Sequence, residues 1–503
     1  MTAPPEVNQP DGASPWDPDL WDAYEAGVDM EPPDDRADEP APPETPLSEA
    51  EQRELMHAVA NLPEEFWEAR ERFRAIRQAA WRNGCSGDVA MLTVMCRTSA
   101  MVSPKLIFDL GRGPGSLNLF GGAVGPSGGG KSQAVEVGQE IVIAPAYLVD
   151  ADGNIDPDKF KDGIPLGTGE GLAEAYMGTA ERETGELHTR NSANANKGDP
   201  KTEKVRAQVR HNVFYYLDEG ETLTKMMKER QGATIGQALR TAWVGGPLGQ
   251  QNARDETTRL IPRRSYSCGM VIGYQPKTVQ DLLGDGGPGT PQRFLWASAI
   301  DPSLPSTRPD AQRPFWLPLH DDSGQAITGT IGGPKWIADQ LWARRVDVVR
   351  GKQVVEELDS HVDLMRCKLA ALLAVIDGRM EVSDEDWQLS EVLWTTSCET
   401  RDRMVEFGRR QAQMLAAQQT AAHVDREEKA HVARRTVDAR AERIARWIGR
   451  RIHERGEATH GATKRAMSAE DRPFFDVGLE HALAQQWVSL DNRALRPGSA
   501  RPV

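Results

Sequence analysis

Apolar positions along this chain change their spacing in a set order, and that order predicts an α/β core flanked by helical segments. Phe66, Phe73, Ile76 and Trp81 recur at helical spacing, and a second apolar helix is expected from about Asp88 to Ser99. The pattern then switches to short continuous apolar runs, the mark of strands covered on both faces. Leu117–Val124 is the first such run, and a helical stretch from Gln133 to Val142 follows it across a glycine-rich turn. His211–Leu217, Ser267–Tyr274 and the segment opening at Phe294 are further strands. Helical spacing returns over 355–410, carried by Val362, Met365, Leu369, Leu372 and Ile376, and a charged helix rich in Ala, Gln, Arg and Glu is expected over about 410–435. Residues 437–495 have the outline of a winged helix. A helix is expected over about Val437–Glu454, another from about Ala469 to Gln486, and then a hairpin wing with its turn at Asp491-Asn492. Between the strands, Gly178 is a breaker, and the polar stretch Thr179–Arg206 is expected to be a mobile loop.

Composition adds an uneven charge. Of a net −15, residues 1–50 carry −13, with fourteen Asp/Glu against Arg36 alone, so the other 453 residues total −2. Residues 1–47 are also rich in proline and are expected to be disordered. Within them, Trp16-Asp17-Pro18-Asp19-Leu20-Trp21-Asp22-Ala23-Tyr24 sets aromatics among acids. It reads as a docking peptide, an electrostatic mimic of DNA, or a solubilising tail. Order is expected from Ser48, where Ser48-x-x-Glu51 forms a capping box. No apolar run is long enough to cross a membrane, and the acidic N-terminus is unlike a signal peptide. Cys85, Cys96, Cys268, Cys367 and Cys398 are scattered without a C-x-x-C pair, so a reducing cytoplasm is expected, without a zinc site or disulfide frame.

The glycine-rich turn carries the chemistry. Gly125-Pro126-Ser127-Gly128-Gly129-Gly130-Lys131-Ser132 fits the phosphate-binding loop G-x-x-x-x-G-K-[ST]. Its glycines let backbone N–H groups curl around phosphates, Lys131 reaches the β/γ oxygens, and the Ser132 hydroxyl ligates Mg²⁺. ATP and Mg²⁺ are therefore the expected cofactors. The strand over 211–217 ends in Asp218-Glu219. Asp218 suits Mg²⁺ coordination and Glu219 suits activation of the attacking water, with Glu221 a weaker substitute. Gln275 ends the next strand, either as a sensor of the γ-phosphate or as a cap. Arg293, at the mouth of the last strand, is either an arginine finger for a neighbouring subunit or a surface arginine paired with a carboxylate. Arg366 either reaches the nucleotide from a helical lid or lies plainly on its helix. The fold class is thus α/β, a P-loop NTPase core with a helical N-terminal region, a helical lid and a C-terminal winged-helix domain. The predicted divisions are 1–47, 48–105, 106–350 for the core, 351–436 for the lid and connecting helix, and 437–503.

The order P-loop, Leu217-Asp218-Glu219, Gly273-Tyr274-Gln275-Pro276 and Gly289-Thr290-Pro291-Gln292-Arg293-Phe294-Leu295-Trp296 resembles the primase-associated helicase-type ATPases of actinobacterial phages, plasmids and integrated elements. Leu239-Arg240-Thr241-Ala242-Trp243 and Leu248-Gly249-Gln250-Gln251-Asn252-Ala253 are similar to segments of the same family, and the likeness covers roughly residues 60–400. It implies a RecA/AAA-like ATPase, replication-linked DNA unwinding, a homo-oligomeric ring such as a hexamer, and a separate primase–polymerase partner, since an acidic tail stands where the family carries that domain. Single-stranded DNA is the expected substrate, gripped by basic loops at Lys201, Lys204, Arg206 and Arg210 and at Arg259, Arg263 and Arg264. From 421 to 503, sixteen Lys/Arg face twelve Asp/Glu, in keeping with DNA contact or with a protein-docking module. The alternative is a nucleotide-dependent switch or DNA-binding regulator, including a phage-defence ATPase, without unwinding activity.

Overall fold

The computed structural model describes residues 60–187, 189, 199–228, 232–250, 258–283 and 289–502. The acidic tail, the Ser48–Glu51 cap, and residues 251–253 and 287–288 lie outside them. The described residues fall into two units, one ending at Leu415 and one beginning at Ala416.

The first unit is mixed α/β with a parallel central sheet, an NTPase-like arrangement. Helices α1 (Glu71–Arg82) and α2 (Gly87–Met101) precede the sheet. Every residue of α2 is buried, because it is mostly apolar or small and packs between α1 and the strands, and its ionisable Arg97 and Asp88 are taken up by Asp162 and by the Leu62 backbone N–H. A Cβ at Gly269 would run into the Cys96 carbonyl of α2, so the helix and sheet can approach only because that position is glycine.

Five strands make the sheet: β1 (Leu119–Val124), β2 (Phe160–Ile164), β5 (Asn212–Leu217), β6 (Ser267–Tyr274) and β7 (Phe294–Ser298). Their spatial order is β7-β1-β6-β5-β2, and every pairing is parallel. Burial on both faces is why β1, β6 and β7 read as unbroken apolar runs. Parallel direction also brings all the carboxyl ends to one edge. There Tyr274 lies opposite Val124 and Ile272 opposite Leu217, so the residues that follow these strands converge.

The polar stretch expected to be a mobile loop is instead an antiparallel pair, β3 (Met177–Leu187) and β4 (Pro200–Gln208), with Gly178 inside it opposite Ala207. Cross-strand ion pairs hold it rather than apolar burial: Arg182 with Glu203 at 2.6 Å and Lys201 with Glu186 at 2.9 Å. That source of order leaves no hydrophobic period to detect.

Helix α3 (Lys131–Glu140) follows β1, α4 (Gly220–Lys228) follows β5, and α5 (Gly232–Trp243) comes next. Beyond the sheet lie α6 (Val362–Ile376) and the 72-residue α7 (Asp384–Arg455). The separate helices expected over 410–435 and 437–454 are one, because residues 409–448 contain neither Gly nor Pro. Pairs at i,i+4 such as Asp425–Lys429 at 2.7 Å support its solvated stretch.

The second unit holds the end of α7, then β8 (Ala458–Thr459), α8 (His460–Arg465), α9 (Phe475–Ala484), β9 (Val488–Asp491) and β10 (Ala494–Pro497). The strands form an antiparallel sheet ordered β8-β10-β9 over a core that includes Ile444, Ile448, Phe475, Leu479 and Leu495. The hairpin turns at Asn492-Arg493, one residue beyond the expected place. Both have positive φ, 42° and 70°, as a two-residue turn matched to strand twist requires.

Candidate nucleotide site

The carboxyl edge of the sheet opens into a cavity of about 400 Å³, within the usual range for small-molecule sites. Ser127–Gln133, Asp218, Glu219, Glu221 and Gln275 line it. The loop after β1 bends back through Gly128 and Gly130, at φ +72° and +77°, where a side chain would be strained. Gly130 caps α3, so the unpaired backbone N–H groups of that helix end lie at the cavity, where Gly130, Lys131 and Ser132 line it.

Lys131 Nζ donates to the carbonyls of Gly125 and Pro126 at 2.9 and 2.8 Å. Burial lowers its amine from the ordinary lysine value, and the nearby Asp218 partly opposes this. Ser132 Oγ donates to Asp218 Oδ1 at 2.6 Å, and Tyr216 OH donates to the same oxygen at 2.7 Å. The Ser132 hydrogen bond, aided by Tyr216 and Lys131 and opposed by burial, holds the Asp218 carboxyl below the usual carboxylate range. Ser132 and Asp218 thus sit as adjacent oxygen donors, the chemistry a hard divalent cation takes. Glu219 is exposed in the same cavity. Gln275 is exposed too, and its backbone N–H is tied to Thr278 Oγ1 at 3.1 Å.

Tyr216 is a site residue that motif spacing does not single out. Its signal lies in strand parity, which puts Tyr216 and Asp218 on one face two residues apart. Thr278, also lining the cavity, has no signal beyond its place after the strand.

Arg293 and Arg366 are not at this cavity. Arg293 precedes β7, whose first residue Phe294 lies opposite Phe120 near the start of β1. It therefore stands at the amino edge of the sheet, about five residues or roughly 16 Å of strand from the P-loop level. Its side chain donates to the Gly289 carbonyl and lies 5.7 Å from the Trp243 ring. Burial, with the charge of Arg240, lowers its pKa to about 10. No carboxylate pairs with it among the described residues. Arg366 stacks on Trp387 at 4.2 Å and pairs with Glu391 at 3.3 Å, so the expectation that it reaches the nucleotide from the lid has no support in this geometry.

Several basic residues expected to face DNA have structural partners. Arg210 is buried, donating to the carbonyls of Pro157 and Ala175. Arg206 and Arg259 share Glu174.

No protein-family model matches this chain, and no curated protein is similar to it at a significant level. Among solved structures, a full-length MCM homolog from Methanopyrus kandleri is similar, with 14% identity and a TM-score of 0.31 over 71% of this chain. The match spans 63% of that protein's length. A likeness this low carries no argument for fold or function. Among the described residues, no helix is long and apolar enough to cross a membrane.

Proposed function

We propose that this chain is an ATP-dependent DNA motor, a ring helicase serving replication of a phage or mobile element. The observation that carries the ATPase part is the convergence of Lys131, Ser132, Asp218, Glu219 and Gln275 on one cavity at the carboxyl edge of a parallel sheet, where α/β folds bind their ligands. The residues fit MgATP. The left-handed glycines shape a loop that closely follows an anion, and Lys131 spends its charge on two backbone carbonyls that phosphate oxygens outcompete. Ser132 and Asp218 would hold Mg²⁺, whose charge offsets that developing on the transferred phosphoryl group. Tyr216 orients Asp218. Glu219 holds the proton taken from the attacking water, and Gln275 contacts the terminal phosphate.

Arg293 stands at the wrong edge for its own chain's nucleotide, which favours action on that of a second copy and hence a ring. The helix–strand–helix–helix–hairpin order of the second unit supports a winged-helix reading. A separate primase–polymerase would supply primers.

Steady-state ATP hydrolysis with and without single-stranded DNA, for the wild type and Lys131→Ala, tests the proposal. DNA-stimulated hydrolysis that Lys131→Ala abolishes is expected. Hydrolysis indifferent to DNA would replace the motor with a nucleotide-dependent switch.

A further inference from the structure

At the amino edge of the sheet lies a second cavity, of about 280 Å³. Its walls come from segments that precede strands or cap helices: Arg112 and Ser116 before β1, Arg263 and Arg264 before β6, and His361 and Lys368 at and in α6. None of the residues lining it is Asp or Glu. Arg263 is exposed and has no hydrogen bond or ion pair among the described residues. Arg264 donates from one terminal nitrogen to the Pro114 carbonyl, while its Nε is buried with no partner. Its backbone is left-handed at φ 57°, a strained state for a non-glycine residue and one that concentrates at functional sites.

The buried Trp243 packs against two of the lining residues and against Arg293. The His361 ring lies 5.4 Å from it, Lys368 Nζ 4.6 Å and the Arg293 guanidinium 5.7 Å. Its own Nε1 is buried without a partner, as is Nε of Arg293. Lys368 is satisfied by three backbone carbonyls, and burial lowers its amine well below the ordinary lysine value, so it offers the cavity no free N–H. Asp363 is shared by Arg112 at 2.9 Å and Arg344 at 3.4 Å, and Asp109 accepts from the backbone N–H of the lining Gly113 at 3.1 Å. Arg112, Arg263 and Arg264 thus bring positive charge to a cavity lined by no carboxylate, and Arg263 and the Nε of Arg264 are N–H donors without a partner among the described residues. Such a group, drawn from distant stretches of chain, is stabilised by a bound polyanion.

We infer that the Arg112–Arg263–Arg264–His361 cavity is a second phosphate-binding site, at the opposite edge of the sheet from the P-loop. Its ligand is a phosphate or diphosphate group. That group comes either from the nucleotide held by a second copy, which rests on the ring proposed above, or from free phosphate in solution, which does not.

The test is calorimetric titration of pyrophosphate into full-length Lys131→Ala, whose P-loop lacks its lysine. Binding is expected, weakened at least tenfold by adding Arg263→Gln or Arg264→Gln and unchanged by adding Arg450→Gln. Arg263→Gln guards against misfolding, because that exposed side chain has no partner to lose. Absence of pyrophosphate binding by Lys131→Ala, or equal weakening by Arg450→Gln, overturns the site. Mixing Lys131→Ala with Arg263→Gln protein separates the sources. Hydrolysis above that of either alone assigns the second copy's nucleotide, and binding without such a gain assigns free phosphate. Loss of DNA stimulation would sink the motor and leave the pyrophosphate result standing.

Discussion

Replacing Lys368 by methionine removes a buried amine from the first unit. Lys368 is 1% exposed, and its Nζ donates to the carbonyls of Ser116, Asn118 and Trp243 at 2.6, 2.7 and 2.7 Å. Three donors meet three acceptors, so the ammonium is fully used. Methionine keeps the apolar stem as far as Cε but supplies no N–H. Three buried carbonyls would lose their partner, at about 1–3 kcal/mol each. Against this, the variant no longer takes an ammonium out of water, a relief of several kcal/mol. The lost bonds outweigh that relief, and a fall in unfolding free energy of about 2 kcal/mol is expected. The bonds also join α6 to the end of α5 and to the lead into β1, so the loss reaches the strand that carries the P-loop. Urea unfolding followed by tryptophan fluorescence reads the effect as a lower midpoint at unchanged slope. A midpoint at or above that of the wild type would refute the reasoning, because burying the ammonium would then cost more than its three bonds return.

Three further outcomes follow from the geometry. Tyr216→Phe, which removes the hydroxyl from Asp218 while keeping the ring, should raise the Mg²⁺ concentration for half-maximal hydrolysis about tenfold, the usual effect of losing a residue that orients a metal ligand; an unchanged Mg²⁺ titration would remove Tyr216 from the site. Burial, reinforced by Asp301 and opposed by hydrogen bonds from Leu62 and Asn61, raises the Asp88 carboxyl to about 7. The native state therefore keeps a proton that the unfolded chain has lost, and stability should fall as pH rises from about 4 to about 7. Asp88→Asn should flatten that slope and be more stable by a few kcal/mol at pH 8, at about 1.4 kcal/mol per pKa unit; melting curves across pH decide it. Arg293→Gln should lower hydrolysis by at least tenfold while leaving ATP binding by its own chain intact, and weakened binding by isolated subunits would place Arg293 elsewhere.

How much of the fold is legible in the sequence depends on what stabilises each part. Strands of a parallel sheet are buried on both faces, so β1, β5 and β6 stand out as apolar runs, and the residues at their tips, Gly125, Asp218 and Gln275, follow from chain order alone. The β3–β4 pair is illegible because ion pairs such as Arg182–Glu203 order it, and charge alternation resembles a solvated loop. The length of α7 escapes a reading by periodicity because its apolar stripe lapses in the middle while its propensity does not. Arg293 looks close to the site by sequence order, and only the direction of β7 puts it at the far edge. Arg112 lies 151 residues before the adjacent Arg263 and Arg264, and no local pattern links them.

The central claim is that nucleotide hydrolysis at Lys131, Asp218 and Glu219 drives movement on DNA. Strand displacement from a forked duplex, with the wild type, Lys131→Ala and Glu219→Gln compared at saturating ATP, tests it most directly. The account predicts separation by the wild type alone, with Glu219→Gln still binding ATP. Separation by Glu219→Gln at the wild-type rate, or hydrolysis by the wild type without any separation, would contradict it.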